Sequence, residues 1–521
     1  MSPGPGVAAA AVDLRLVPPA VVAWGAALVV VHADPQATAA AARVAGALLA
    51  TCVVALLAAA VGYVVRRPAG ADQVRSAGPR VARGPVVRGR LRGAAPAFAL
   101  GLATVAVVLV AGGATHAQRA PAPLVSAAGE GREVDVVGRV SAQPRLLGGA
   151  DSRVSFTVAA SAVGVRGGWY RVRTSVAVVA PTGAPVGATV RLRGTVTSPP
   201  GSRSLVILAV RQDPVVTVAP RGLDTWAGGV RAGARSVAAR LPPDVRGLLP
   251  AVTVGDTGAV PDDLVAAMRA AGLAHVMAVS GAHFAILGAL VLTATSAVRA
   301  PLPLRALAAA AAGAALLLVV GPAPSVVRAA VMGGVGLVGL LAGRRAAGPA
   351  ALAGAVVVLL VVDPWLSVDI GFALSVAATA GLVVLGGPLV TRWSRFCGRD
   401  AAALLAAPVA AQLGCLPVTL ALWPTLGPWS VVANVAVAPA IAPATVLGLV
   451  AAVLTGPWPA AADVVAGAAG AACWWIAAVA RAVAGLPVAG LAWWPGVGGA
   501  VTAALVLIAA GALVLRPARA S

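Results

Sequence analysis

Long, nearly uninterrupted apolar runs constrain this chain more than any other feature. A helix needs about 20 apolar residues to cross a bilayer, with a lower limit near 17. Three apolar runs open the sequence, at 16–31, 39–65 and 96–115. Nine more lie near 275–297, 303–320, 326–342, 347–362, 370–390, 401–422, 429–454, 464–486 and 497–515. Only 11% of residues are charged, where a soluble domain carries about 25%. Mean hydropathy is +0.93, which also excludes a disordered chain. The expected fold class is a polytopic α-helical membrane protein of about twelve spans.

The charge that remains is all of one kind at the positive end. The 39 basic residues are all arginine, against 17 acidic ones. A P-loop requires a lysine on the nucleotide phosphates, so a Walker-type ATPase is excluded and any work must be powered elsewhere. The cysteines, Cys52, Cys397, Cys415 and Cys473, show no CxxC spacing, which argues against a disulfide framework or zinc knuckle. The four histidines, His32, His116, His275 and His283, lack the HxHxDH pattern of a binuclear hydrolase. No metal, cofactor or catalytic group is expected.

Arginine also sets the expected topology. The loop between the second and third runs carries Arg66, Arg67, Arg75, Arg80, Arg83, Arg88, Arg90 and Arg92 against Asp72 alone. By the positive-inside rule it is cytoplasmic, and so is the N-terminus. The first run lacks a basic n-region and a clean cleavage site, so it reads as a retained anchor. Later clusters fall after every second span: Arg299 and Arg305, Arg344 and Arg345, Arg392, Arg395 and Arg399, and Arg516 and Arg519. Pro439 and Pro443 interrupt one span and leave the count open by about two.

Between these membrane regions the pattern changes. Within 118–222, apolar and polar residues alternate over Glu133–Gln143, Ser152–Val163, Arg171–Ala180, Thr189–Ser198 and Ser204–Arg211. Five short strands with Gly- and Pro-rich breaks suit an inserted extracytoplasmic all-β, OB-like module. It holds 13 Arg against 5 acidic residues. Arg171, Arg173, Arg191 and Arg193 are its candidate contacts to a polyanion, although a solvated basic surface fits as well. Stacking aromatics are scarce: Phe156, Trp169 and Tyr170. The segment 223–272 follows, with Arg231, Arg235, Arg240 and Arg246 at near-helical spacing. It reads as an amphipathic linker on the membrane surface or as an ordinary connector. The expected organisation is thus 1–117, 118–222, 223–272 and 273–521.

Polar groups at membrane depth are costly and usually face a cavity. The richest set runs from Asp256 through His275, Ser280, Gly281 and His283, then Arg328, Asp363 and Asp369, Gln412, and Asn434. The stretch GLAHVMAVSGAHFAIL, preceded by GD, is followed by SVVRAAVM, DPWLSVDIGFALSVAATAG, AAQLGCLPVTL and VANVAVAP. In order and spacing these pieces resemble the ComEC family of competence membrane proteins, over nearly the whole chain. The resemblance implies a plasma-membrane channel that passes single-stranded DNA inward during natural transformation. It also implies a DNA-receptor protein, a separate nuclease and a cytoplasmic DNA translocase as partners, and it is compatible with a homo-oligomer. Many members continue into a metallo-β-lactamase-like domain. This sequence stops at Ser521 without that domain's histidines, so strand degradation is expected of another protein.

Blander readings stand beside these. Ser280 near His283 has no GxSxG elbow and no acid partner, so a serine nucleophile is disfavoured. On one continuous helix His275 and His283 would stand about 80° apart, a poor metal pair. Ser280-Gly281 reads as a close helix approach or a helix break. Asp256 reads equally as a turn residue, and Asp363 and Asp369 as helix caps. Arg328, a few residues into a span, reads as a pore or ion-pair residue. The residues of the expected translocation path are therefore His275, Ser280, Gly281, His283, Arg328 and Asn434. The alternative function is a transporter of another small-molecule or polyanionic substrate with no competence role. The arginine pattern makes one direct prediction. A cysteine at Ser161, in a cysteine-free background, should react with an impermeant thiol reagent in intact cells. Reaction only after lysis would reverse the topology.

Overall fold

The computed structural model describes residues 16–33, 40–46, 100–115, 121–147, 153–197, 207–277, 279–322, 324–343, 348–423, 425–487 and 491–515. The arginine-rich loop, most of the second apolar run, Cys52 and His116 lie outside the described residues. The chain divides into two compact units, one of 1–117 with 353–369, the other of 118–352 with 370–521.

In the first unit, α1 (Val17–His32) and α2 (Leu100–Thr115) are apolar helices. α1 buries Pro19, Ala20, Ala23, Ala27 and Val30 as one stripe. The absence of a side chain at Gly112 lets α2 close onto Val30, which a Cβ there would overlap. The Trp24 indole N–H donates to the Ser367 carbonyl at 3.1 Å, within the 3-10 turn Pro364–Val368.

The second unit opens with a short helix, α3 (Ala122–Gly129), and seven strands. These are β1 (Glu133–Val140), β2 (Arg145–Leu146), β3 (Val154–Val165), β4 (Gly168–Ala180), β5 (Thr189–Thr197), β6 (Ile207–Val210) and β7 (Val215–Val218). β1 pairs with β3, β3 with β4, β4 in parallel with β6, β6 with β5, and β5 again with β1. The five main strands therefore close on themselves, leaving no edge among them. Alternate residues point inward, so Val136, Val158, Val176, Val190, Val196 and Leu208 form a core of their own. Leu124 and Ala127 of α3 complete it.

Three helices follow, α4 (Leu223–Ala238), α5 (Pro243–Val254) and α6 (Asp262–Ala270). Nine apolar helices come next among the described residues: α7 (Gly281–Ala297), α8 (Leu302–Val320), α9 (Pro324–Leu341), α10 (Gly348–Val362), most of which falls in the first unit, α11 (Ile370–Cys397), α12 (Arg399–Leu422), α13 (Ser430–Leu454), α14 (Pro459–Ala484) and α15 (Gly496–Leu515). Five of them, α8, α11, α12, α13 and α14, are long and apolar enough to cross a membrane. α1, α2, α7, α9 and α10 are shorter apolar helices. α13 runs unbroken through Pro439 and Pro443, which packing on neighbouring helices allows.

The segment 223–272 lies against protein rather than presenting an open apolar face. Val237, Leu248, Leu249, Leu264 and Met268 share one core with Ala444, Ala451, Cys473 and Ile476 of α13 and α14. Arg481 of α14 holds Asp244 of α5 through two bonds of 2.8 Å and Asp263 of α6 through a third. The Arg481 hydrogen bond keeps the Asp263 carboxyl below the usual carboxylate range.

α11 and α12 pack through side chains such as Leu389, Trp393 and Ala406 toward one end, but at Gly381 and Gly414 they meet backbone to backbone. A Cβ at Gly381 would stand 3.0 Å from the Gly414 Cα, and the reverse holds equally. The Cys415 thiol donates to the Leu374 carbonyl across the same contact, at 3.3 Å. With no hydrophobic force between helices in lipid, such close backbone approach supplies the association. Gly414→Leu should force the pair apart and cost about 1–3 kcal/mol or more. The check is the thermal unfolding midpoint of the purified protein. An unchanged midpoint would show that the contact carries little.

Candidate functional site

The helix expected from residue 275 begins instead at Gly281, and the reason lies in the residues before it. α6 ends at Ala270, and Gly272 takes φ +71°, a left-handed turn that suits glycine. A Cβ there would lie 2.7 Å from the Ser430 Cβ, so the turn is pressed against the start of α13. One 3-10 turn, Ala274–Val276, follows. Ser280 is extended, at φ −123° and ψ 179°, and serves as the N-cap of α7. His275 and His283 are therefore not on one helix, and the 80° separation does not apply.

Ser280 and His283 close this helix start together. They form a reciprocal capping box in which histidine stands where Glu or Gln is usual. The Ser280 backbone N–H donates to His283 Nδ1 at 3.0 Å, and Ser280 Oγ lies 3.2 Å from the same nitrogen. A neutral ring that accepts at Nδ1 carries its proton on Nε2. His283 is 1% exposed, and Nε2 has no hydrogen-bond partner among the described residues. The site thus presents a buried N–H donor at a helix N-terminus, where the helix dipole favours negative charge. His275 is exposed.

The neighbours come from α8, α9 and α13. Val279 packs in one cluster with Leu316 and Val320 of α8 and Val326 of α9. A Cβ at Gly281 would meet the Ala329 Cβ at 4.0 Å. That contact places the start of α7 beside the turn of α9 that carries Arg328, which is 6% exposed. Asn434 donates to the Ser430 carbonyl at 2.8 Å, and Ser430 Oγ donates to the Gly427 carbonyl at 2.7 Å. Both side chains are engaged within their own segment.

Other candidates serve elsewhere. Asp256 accepts from the Gly258 N–H at 3.1 Å and from Arg235 Nε at 2.6 Å, so it is both a turn residue and an ion-pair partner. Asp363 caps the 3-10 turn Pro364–Val368, accepting from the Trp365 N–H at 3.1 Å, and Asp369 closes that turn. Both belong to the first unit. Gln412 is half-buried on α12, two residues before Gly414. Gln143, met in the sequence only as the limit of an alternating segment, and Arg231, read there only as part of an amphipathic stripe, prove to be placed on helix ends. Their partners are backbone carbonyls far along the chain, which leave no local signal.

On the barrel, Arg171 and Arg173 point outward from β4 and are exposed. Arg191 lies 3.4 Å from Asp135 and 5.3 Å from the centre of the Trp169 ring. Arg193 lies 3.5 Å from Glu133. Half of the proposed basic set is thus partly neutralised by the barrel's own acids. Trp169 and Tyr170 stay 51% and 47% exposed beside it.

The sequence model of one family, described as "Competence protein", matches residues 252–519, just over half of the chain. It covers the α7 start and every helix after it. A protein named ComE operon protein 3, from Bacillus subtilis (strain 168), is 32% identical over 180 residues. That match covers 34% of this chain and 23% of the relative, so it spans less than a quarter of the relative's length. No solved structure matches.

The capping geometry can be checked alone. Ser280→Ala should destabilise the protein by about 1 kcal/mol, while Ser280→Asp or Ser280→Thr should retain most of the cap. Chemical or thermal unfolding of the purified variants reads this directly. Equal stability of the Ala and Thr variants would show that Ser280 does not cap α7.

Proposed function

This chain belongs to the competence protein family, and from that premise we propose that it is a membrane channel through which one strand of DNA enters the cell during natural transformation. In this reading about twelve spans cross the plasma membrane, with the N-terminus in the cytoplasm and the barrel, an OB-like module, outside. The chain is not itself an enzyme. A DNA receptor, a nuclease and a cytoplasmic translocase act beside it, the last supplying the energy that a lysine-free sequence does not draw from a P-loop.

The observation that carries the reading is the buried polar pair on adjoining helices, His283 at the start of α7 and Arg328 on α9. A buried arginine and a buried histidine N–H within an apolar bundle are costly, and such groups usually mark an ion or substrate path. A DNA strand carries one negative charge per nucleotide. A route through hydrocarbon must offer it donors or positive charge, but few, because tight binding halts movement. A guanidinium is a cation whose planar fork can grip a phosphate with two parallel hydrogen bonds, and Arg328 supplies one there.

Two results test this. Arg328→Ala should abolish entry of labelled DNA while surface binding and membrane insertion persist, and Arg328→Lys should retain part of the entry. Normal entry with Arg328→Ala protein at normal levels contradicts the pathway. For the barrel, DNA binding should weaken steeply with salt, since the contacts are ionic and stacking groups few. Removing both Arg171 and Arg173 should flatten the log–log salt slope for single strands by about 1.4. A salt-independent affinity, or an unchanged slope, would remove the barrel from DNA recognition.

A further inference from the structure

Among the described residues, one half-buried side chain of the barrel, Gln143, reaches two helix ends at once, and that contact falls on the turn that leads toward Arg328. A helix leaves its last four carbonyls without intrahelical partners. At the end of α8 each of the four is taken. The Leu317 carbonyl accepts from the Gly321 N–H at 2.8 Å. The Leu318 and Val319 carbonyls accept from Arg231 Nη1 at 3.2 and 3.0 Å. The Val320 carbonyl accepts from Gln143 Nε2 at 3.4 Å. The second N–H of the same Gln143 amide goes to the Val254 carbonyl, the last of α5, at 3.0 Å.

Gln143 therefore joins two helix ends with the two hydrogens it has. Both partners are acceptors, which fixes the amide orientation: a flip would set oxygen against oxygen. The amide oxygen is left buried with no hydrogen-bond partner among the described residues. A group held at that cost has a use for its donors. The loop bearing it is fixed to the barrel, since the Ser141 N–H donates to the Thr157 carbonyl at 2.9 Å. The Ser141 carbonyl also lies 3.9 Å from where a Cβ at Gly321 would stand. Around this point Arg139 of β1 pairs with Asp224 at the start of α4, and Arg235 of α4 pairs with Asp256 just after α5.

Resting on the DNA-entry reading for its functional half, we infer that Gln143 is a positioning residue that latches the barrel to the α8–α9 turn and thereby fixes Arg328. Arg231 is the second half of the latch: it is 5% exposed, and its guanidinium sits on the negative end of the α8 dipole. Any strand held on the barrel is then in register with the polar groups at the start of α9, because the barrel is bonded to the end of α8 that leads into it. Gly321 (φ +91°) lets the chain turn directly from α8 toward α9 under that clamp.

The test uses the full chain in lipid nanodiscs and in cells. Gln143→Met keeps the length of the side chain and removes both donors. Backbone amide exchange over 321–328 should quicken about tenfold, as expected for losing a buried hydrogen bond. Exchange in β1 and β5 should not change, since the barrel has its own core. In cells, surface-bound DNA should stay at the wild-type level while entry falls at least tenfold. Gln143→Asn keeps both donors on a shorter arm and should recover part of the protection. Where Gln143→Met does not accumulate, Arg231→Gln reads the same exchange from the other side of the latch. Unchanged exchange at 321–328 in these variants overturns the latch, whatever happens to DNA. Faster exchange with unaltered DNA entry leaves the structural contact but overturns its positioning role. Should the wild-type protein itself fail to admit DNA, the exchange result still stands and the DNA reading falls instead.

Discussion

A helix that ends among other helices has no water to receive its open backbone groups, so the protein must close the end itself. That constraint decides much of this structure. The start of α7 is closed by Ser280 and His283, the end of α8 by Gly321, Arg231 and Gln143, and the 3-10 turn after α10 by Asp363. Ser280, His283 and Asp363 are among the few polar side chains of apolar stretches, whereas Gln143 and Arg231 reach in from more polar segments. The scarcity of charge thus has a structural meaning: part of the polarity that is kept closes helix ends, while Arg328 and Gln412 lie within helices.

Closing an end does not use up the group that does it. His283 spends one ring nitrogen on the Ser280 amide and keeps a buried N–H at the other. Arg328 lies on the neighbouring helix, just past the turn that Arg231 and Gln143 clamp. A break in a helix at this point therefore does two things. It exposes donors inside the bundle, and it forces those donors to be held in place by remote segments. In the proposed reading, the arrangement that makes the break stable also serves a moving anion, which needs fixed, sparse and shallow binding.

The sequence was most informative where structure is periodic. The run read at 303–320 is a helix at Leu302–Val320, and the run read at 401–422 is one at Arg399–Leu422. The five alternating segments of the barrel recur as strands within a few residues of their expected limits, because period-2 alternation records which face is buried. What could not be read is non-local. Gln143 and Val320 are separated by 177 residues, and nothing near either one announces the other. The start of the helix before His283 was misplaced because the segment 275–280 is as apolar as the helix after it, and only the turn at Gly272 and the cap at Ser280 separate them. Asp256 was legible as a turn residue, but its bond to Arg235 was not. The covered face of 223–272 was equally hidden, since an amphipathic stripe looks the same whether lipid or protein lies against it.

The central claim is that the start of α7, beside Arg328, lies on the path of the DNA strand. Site-specific photocrosslinking in cells during uptake tests it most directly, with the photoreactive residue placed in turn at Gly281, Ala329 and Leu307, the last an exposed position on α8. Adducts with labelled DNA at 281 and 329, and none at 307, are the result this account predicts. DNA that enters at a normal rate while crosslinking only at 307, or at none of the three, would contradict it.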